Sequence, residues 1–377
     1  MDSIKAPLPL HLENINKIHK KLNRKEWIRI LSQPSKLLLV RDEKLPIEKK
    51  YTTNIQIKDE SQIKLDVERS FHTISDESLR DQYKEYLYEI LVEIFKKSQN
   101  MHYYQGFHDI ISVFVIVFTD IKVLDDDNII VELAIDKDVL VELAYNFSLL
   151  HLRDFLMDSL DFTVDQLRLI PFIVKVLDHD TYKKLNFKNC EMTSAISFVL
   201  TLFSHEDLNI EIVTRIFELV IVNNSIVVVL FIYALLIIEL KGTLIKTYQE
   251  SLDEFNDHSL LLNMVIQKHI LIKINSFDWE DIFTKMDAII KNYEKIKLCV
   301  NEFSVLKTSS MLHSQISYDQ KELEELLVQE SNLNIKNKHM SKNSQSLKMF
   351  VGAAKTSLIL AVLAVSFKVV IDYYEYA

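Results

Sequence analysis

Between residues 79 and 98 the apolar side chains fall at Leu79, Tyr83, Tyr86, Leu87, Ile90, Leu91, Ile94 and Phe95, the three-and-four spacing of a helix with one buried stripe. A second helix is expected to start near Phe107 and to run through the apolar stretch 110–118. That sets Gln105 at a helix entrance, where a side chain is held firmly yet can stay exposed. Asp125, Asp126 and Asp127 then read as an acidic turn that caps a helix over 129–145, with metal binding by the triplet as the alternative. Segments 192–204, 211–222 and 226–240 continue the theme, each long enough for a helix and separated by short polar breaks. They predict stacked antiparallel helices. Within 225–240 only Glu239 is charged, but the run falls short of the ~20 residues that a membrane span needs, which favours a buried core helix. After Asn275 the pattern weakens. Residues 321–330 are glutamate-rich, and 331–346 are polar and rich in Asn, Lys and Ser, the composition of a flexible tether.

The run 350–371 is apolar apart from Lys355 and Lys368, with an uncharged centre over 356–367. At ~1.5 Å per residue it would extend roughly 33 Å, close to the ~30 Å hydrocarbon thickness of a bilayer. The two lysines lie towards opposite ends, where long stems can carry their charges to the headgroups. Residues 358–365 are apolar on every face, and the run is expected to be a tail anchor; an amphipathic or buried terminal helix is the alternative. Lys336, Lys338, Lys342 and Lys348 precede it and Asp372 and Glu375 follow, an asymmetry that puts the main domain on the cytosolic side. The short span and acidic exit favour the endoplasmic reticulum or early Golgi over the mitochondrial surface.

Composition narrows the function. With 48% hydrophobic residues in 377, the chain has ample material for a core. Glycine occurs only at Gly106, Gly242 and Gly352, and proline five times, which excludes a P-loop or a dinucleotide fingerprint. The same scarcity disfavours hairpin-rich β folds and leaves an all-α expectation. A formal charge of −10 argues against a nucleic-acid binder and suits a basic protein partner. Cys190 and Cys299 lack metal-ligand spacing and read as buried thiols of a reducing compartment. Residues 1–12 show no basic stretch followed by an apolar core, so no secretory signal is expected.

Two strings carry candidate chemistry: Ile63-Lys64-Leu65-Asp66-Val67-Glu68-Arg69-Ser70-Phe71, and Tyr103-Tyr104-Gln105-Gly106. They resemble the IxxDxxR and YxQG motifs of TBC-domain Rab GTPase-activating proteins, in that order, with Arg69 and Gln105 lying 36 positions apart. The continuation Phe107-His108-Asp109-Ile110, and His151-Leu152-Arg153-Asp154-Phe155 followed by Met157-Asp158, resemble the branch of that family with a C-terminal transmembrane segment. The resemblance covers roughly residues 22–276. Arg24 and Trp27 only loosely echo the family's opening helix, and a common tryptophan-aspartate pair is replaced by Phe217-Glu218.

GTP hydrolysis requires negative charge on the transferring phosphoryl group to be stabilised and a water to be held in line. Arginine offers a permanently charged, planar donor fork, and glutamine one acceptor and two donors without net charge. The resemblance implies that Arg69 is an arginine finger and Gln105 a glutamine finger, both supplied in trans to a Rab-family GTPase that holds its own Mg2+ and GTP. Asp66 would fix the arginine's loop, with Tyr103 and Gly106 supporting. Tyr103, Tyr104 and Gly106 equally fit plain packing and turn roles, and His102, His108 and Asp109 fit a polar network better than a metal site. Arg153 with Asp154 and Asp158 reads as a structural ion-pair network, or Arg153 and Asp154 as part of a GTPase interface. The implied architecture is a TBC-like stack of antiparallel helices over 22–276, preceded by an extension (1–21). A helical region (277–330), a polar tether (331–349) and the anchor (350–371) follow. A non-catalytic Rab-binding membrane scaffold with the same fold is the alternative function.

Overall fold

A computed structural model describes residues 24–35, 57–125, 128–188, 190–292 and 319–341. The described chain is mostly helical. In order, it forms α1 (Arg24–Leu31), α2 (Glu60–Glu68), α3 (Glu77–Lys97), α4 (Phe107–Val117), β1 (Thr119–Asp125), β2 (Asn128–Leu133) and α5 (Lys137–His151), then a 3-10 turn over Arg153–Leu156. There follow α6 (Asp161–Leu167), α7 (Leu169–Leu177), α8 (His179–Lys184), α9 (Ile196–Leu200), α10 (Ile210–Asn223), α11 (Val227–Glu239) and α12 (Lys241–Glu250). The last are α13 (His258–Lys273), α14 (Trp279–Lys291) and α15 (Gln320–Ser341). The described residues fall into two compact units, one drawn from within 24–156, 209–224 and 319–328 and the other from the remaining described segments.

The first unit is organised on α3, whose start is fixed by Asp76 accepting from the Leu79 amide at 2.8 Å and whose last turn carries Lys96 and Lys97, as the helix dipole favours. Its stripe Leu79, Tyr83, Leu87, Ile90, Leu91, Ile94 and Phe95 is buried against α4 and α5. Trp27 of α1 lies fully buried, stacked on Phe217 of α10 at 6.2 Å and meeting Phe114 of α4 edge-on at 5.5 Å. Phe147 of α5 stacks on the other partner of that pair, Phe217, at 5.8 Å. These four rings bring sequence-distant helices to one core, each contact adding to plain burial. Arg24 fixes α1 from outside by binding Asp120 and the Thr119 carbonyl, both at 2.9 Å. The start of α15 joins this unit through Gln320 to Glu142 at 2.8 Å and Glu324 to Tyr145 at 3.0 Å.

The second unit is built around α11, in which every residue from Val227 to Ile237 is buried. It packs against α7 and α14. A helix apolar all round must be a core helix or a span, and here protein covers it. Among the described residues no single helix is long and apolar enough to cross a membrane; α11 and α12 reach that length and composition only as a pair bent by 69°.

Several sequence expectations change. The all-α reading omitted an antiparallel hairpin, β1 with β2, which pairs Thr119 with Leu133 through to Asp125 with Asn128, with a register shift between Val123 and Asp125. The helix expected over 129–145 is a strand to Leu133 and a helix only from Lys137, capped by Asp136. The β-branched run Ile129-Ile130-Val131 favours strand, and α3 anchors it by Gln82 to the Val131 amide at 2.9 Å and Tyr86 to the Val131 carbonyl. Of the acidic triplet, Asp125 ends β1; Asp126 and Asp127 lie outside the described residues. The helix expected over 192–204 breaks after Leu200, where Leu202 and Phe203 take positive φ and the Phe203 ring packs on Phe198 at 5.3 Å. The stretch read as a tether from Ser331 is helical to Ser341, continuing α15 from buried Leu323 and Leu327. Helix α14, held by buried Trp279, Ile282, Phe283 and Met286, falls within the region 277–330 that was expected to be helical. The extension 1–21, Cys299 and the anchor 350–371 lie outside the described residues.

His151, at the end of α5, is buried beside Phe147 at 4.9 Å, and its Nε2 has no hydrogen-bond partner among the described residues. Burial, with Arg153 nearby, lowers its pKa from 6.5 to about 3. The native state therefore keeps the ring neutral where the unfolded chain protonates it, so this contribution is lost as pH falls from 6.5 towards 3. The expected loss at pH 5 is about 2 kcal/mol. Urea unfolding of wild type and His151→Leu between pH 7.5 and 5 measures it; an equally steep pH slope in the variant would sink the attribution.

Candidate functional site

Helix α2 carries Asp66 two residues before its end, on the face it shares with buried Ile63 and Val67. The Asp66 carboxylate is completely inaccessible, whereas the Arg69 side chain that pairs with it is 64% exposed. A buried carboxylate needs donors, and the sequence supplies them locally and from afar. Gln62, one helical turn back, donates to Oδ1 at 3.0 Å, and the Arg69 Nη2 meets the same oxygen. Tyr103, from the loop between α3 and α4, donates its phenol to Oδ2 at 2.8 Å. The two sequence strings thus meet on one carboxylate.

The phenol has one proton and gives it to Asp66, so the 3.1 Å contact between Tyr103 Oη and His108 Nδ1 requires Nδ1–H to be the donor. His108 Nε2 lies 3.2 Å from Asp109. Burial, then the Asp66 charge, push the Tyr103 pKa well upward, which keeps the phenol protonated and donating. The loop is tied further by the Tyr103 amide to Asp59 at 3.3 Å and the His102 amide to the Leu156 carbonyl at 2.8 Å. Asp59 occupies the N-cap of α2 but makes no side-chain cap bond there. Its carboxylate serves the loop instead.

Arg69 sits at the C-cap of α2, its Nε donating to the Leu65 carbonyl at 3.3 Å. Two of its donor groups are engaged by Asp66 and Leu65, and the rest of the fork has no partner among the described residues. Beyond it the chain turns at Phe71, a non-glycine residue at φ 57, whose ring packs on Tyr83 at 5.2 Å. Gln105 is half-buried and its amide makes no hydrogen bond among the described residues. Its backbone is fixed on both sides. Tyr104 is buried edge-on against Phe107 and Phe155, and Gly106 takes φ 108 at the N-cap of α4, a conformation side chains disfavour.

For Arg153 and Asp154, burial favours the structural reading over a place in a GTPase interface. They are 2% and 0% exposed, in the 3-10 turn after α5, with Arg153 donating to the Leu149 carbonyl at 2.8 Å. Side chains so enclosed present nothing to a protein partner, and both belong to the interior. Gln62, Asp59 and His108 were not named as site residues. Gln62 was detectable as the i−4 neighbour of Asp66, while Asp59 gave no signal because N-cap aspartates are common. Among the described residues no group of three or more His, Cys, Asp or Glu could hold a metal ion.

A sequence model of the Rab-GTPase-TBC domain matches residues 20–245. The chain is 33% identical over 268 residues to the GTPase-activating protein GYP8 of Saccharomyces cerevisiae, covering 66% of this chain and 53% of that protein. It is 28% identical over 179 residues to the GTPase-activating protein gyp10 of Schizosaccharomyces pombe, covering 47% and 43%. With TBC1 domain family member 20 of Homo sapiens it shares 26% over 164 residues, 43% and 36% of the respective chains. The matches span about half or less of these relatives.

Replacing Tyr103 by Phe keeps the ring contacts to Phe95 at 5.8 Å and Phe107 but withdraws the phenol donor from a buried carboxylate. The expected cost is about 1.5–3 kcal/mol, since hydrogen bonds to charged groups lie at the strong end. An unchanged urea midpoint for Tyr103→Phe would remove the phenol from the network that holds Asp66.

Proposed function

The chain belongs to the Rab-GTPase-TBC domain family, whose sequence model spans more than half of it, and from that premise we propose that it is a GTPase-activating protein for a Rab-family small GTPase. Arg69 enters the GTPase's nucleotide site as an arginine finger, and Gln105 orients the attacking water. The relatives named as GTPase-activating proteins support the activity. The observation that carries the assignment of residues is the Asp66 carboxylate, which grips one edge of Arg69 from within the protein and leaves the rest of an exposed fork unengaged.

As the terminal phosphoryl group loosens, negative charge spreads over its oxygens and the leaving bridge oxygen. A guanidinium supplied from outside stabilises that charge without a proton changing hands. Its restraint by Asp66 and the Leu65 carbonyl reduces the entropy lost when it docks. The Gln105 amide can accept from the water while donating towards the phosphoryl oxygens. Its backbone is placed by Gly106 at the N-cap of α4 and by buried Tyr104, so the residue is positioned at the helix entrance while its amide stays free to engage the GTPase. Mg2+ and GTP belong to the partner. Residues 22–276 form the activating domain on this reading.

The same proposal includes attachment to a membrane of the endoplasmic reticulum or early Golgi through 350–371, with the main domain cytosolic. Enzyme and lipidated GTPase on one surface gain effective concentration, so modest affinity suffices. The competing reading is a Rab-binding scaffold without catalysis, and the intact Arg69 and Gln105 favour the activator.

With the full chain in detergent and a panel of GTP-loaded Rab proteins, the stimulated rate for at least one Rab is expected to fall roughly 10³-fold or more in Arg69→Ala, and roughly 10²-fold in Gln105→Ala. Binding without acceleration would establish the scaffold. No acceleration on any Rab, or full rate in both variants, would defeat the mechanism.

A further inference from the structure

The exposed face of α2 consists of Ser61, Lys64, Leu65 and Glu68 and continues into Arg69. These positions recur at the three-and-four spacing of one helical stripe. Two of the polar members are already engaged within the chain. Lys64 pairs with Glu60 at 2.9 Å and lies over the Tyr88 ring, and Glu68 meets Lys84 at 3.3 Å. Leu65 is the one apolar member, and it is 60% exposed. A single exposed leucine ordinarily needs no explanation, and Val222 and Leu260 elsewhere on the chain are comparably bare. Leu65 differs in its neighbour. It lies four residues before Arg69, and its carbonyl holds the Arg69 Nε.

We infer that Leu65 is an apolar anchor for the GTP-bound GTPase, seated against an apolar patch that borders the partner's nucleotide site. The inference rests on the proposed function and deepens it. Residues four apart on a helix lie about 6 Å from each other, so a partner that receives the Arg69 fork deeply enough to reach phosphate must bring its rim onto Leu65. That rim cannot be strongly polar where it meets the leucine without leaving groups unpaired on closure. An apolar contact also complements the arginine in kind. The guanidinium contributes in the transition state, whereas burial of Leu65 is complete once the partners dock, so it strengthens encounter rather than chemistry. Lys64 and Glu68, held by their own partners at either side, frame the leucine as a polar rim around an apolar centre.

The test is single-turnover GTP hydrolysis by a responsive Rab at increasing concentrations of the full chain, comparing wild type, Leu65→Ala, Leu65→Met, Leu260→Ala and Arg69→Ala. Leu65→Ala is expected to raise the half-saturating concentration roughly tenfold with the plateau rate held. Leu65→Met, which keeps most of the volume, should stay close to wild type, and Leu260→Ala should match it. Leu65 is exposed, so the thermal unfolding midpoint of Leu65→Ala should equal that of wild type, which separates docking from folding. An unchanged titration curve for Leu65→Ala, while Arg69→Ala is inactive, would overturn this inference and leave the proposed function standing. If instead wild type accelerates no Rab, both fail together. Should Leu65→Ala titrate normally but lose self-association in sedimentation velocity, the face belongs to a second copy of the chain and the inference is overturned.

Discussion

The site depends on one buried charge. Asp66 is sealed from solvent, and leaving a carboxylate there without donors would cost several kcal/mol. Its demand for partners fixes everything near it. Gln62 answers from the same helix, Arg69 from that helix's end, and Tyr103 from a loop 37 residues further along the chain. Because the phenol is the only one of these that comes from outside α2, it is the bond that converts two separate loops into one arrangement. Asp59 and His108 repeat the logic at its edges, each binding Tyr103 through a different atom.

The helical framework exists on these terms as a support for short irregular segments. The Arg69 end of α2 and the Tyr103–Gly106 loop are both non-helical, yet each is bounded by elements buried in the first unit's core. Phe95, Tyr103 and Phe107 meet edge-on around the loop, and Tyr104 is closed over by Phe155. Farther in, Trp27, Phe114, Phe147 and Phe217 join α1, α4, α5 and α10. Phe217 is the shared partner, a ring that stacks on both Trp27 and Phe147. A packed aromatic centre of this kind resists the small displacements that would misplace a catalytic side chain.

Much of this was legible in the chain because helices write a strong period. The stripe from Leu79 to Phe95 and the apolar run after Phe107 gave helices where α3 and α4 stand, and the length of 226–240 identified a core helix. Periodicity failed where non-local contacts decide. Ile129, Ile130 and Val131 sit in a run long enough to read as a helix despite their β-branched side chains, and pairing with Thr119–Asp125 fixes them as a strand. The break after Leu200 comes from the Phe198–Phe203 contact, across positions with no glycine to announce a turn. At the site, the sequence strings named Asp66, Arg69, Tyr103, Gln105 and Gly106, but they could not tell exposure. Arg153 and Asp154, from the separate string that starts at His151, prove to be interior groups.

The exposure of Arg69 against the burial of Asp66 has a consequence for how such a site evolves in function. Both the scaffold and the activator readings need the same fold and a similar docking face; they differ in whether a charge is delivered to the nucleotide. A scaffold has no use for a guanidinium held by one edge with its other donors facing solvent, since a neutral donor could satisfy the buried Asp66 as well. Nor would it need Asp66 buried, since an apolar residue of similar size there would spare the desolvation of a charge. On the proposed function that cost goes with orientation: a fork fixed along one edge, with the rest of its donors free, is prepared for charge that develops on the transferring phosphoryl group only in the transition state.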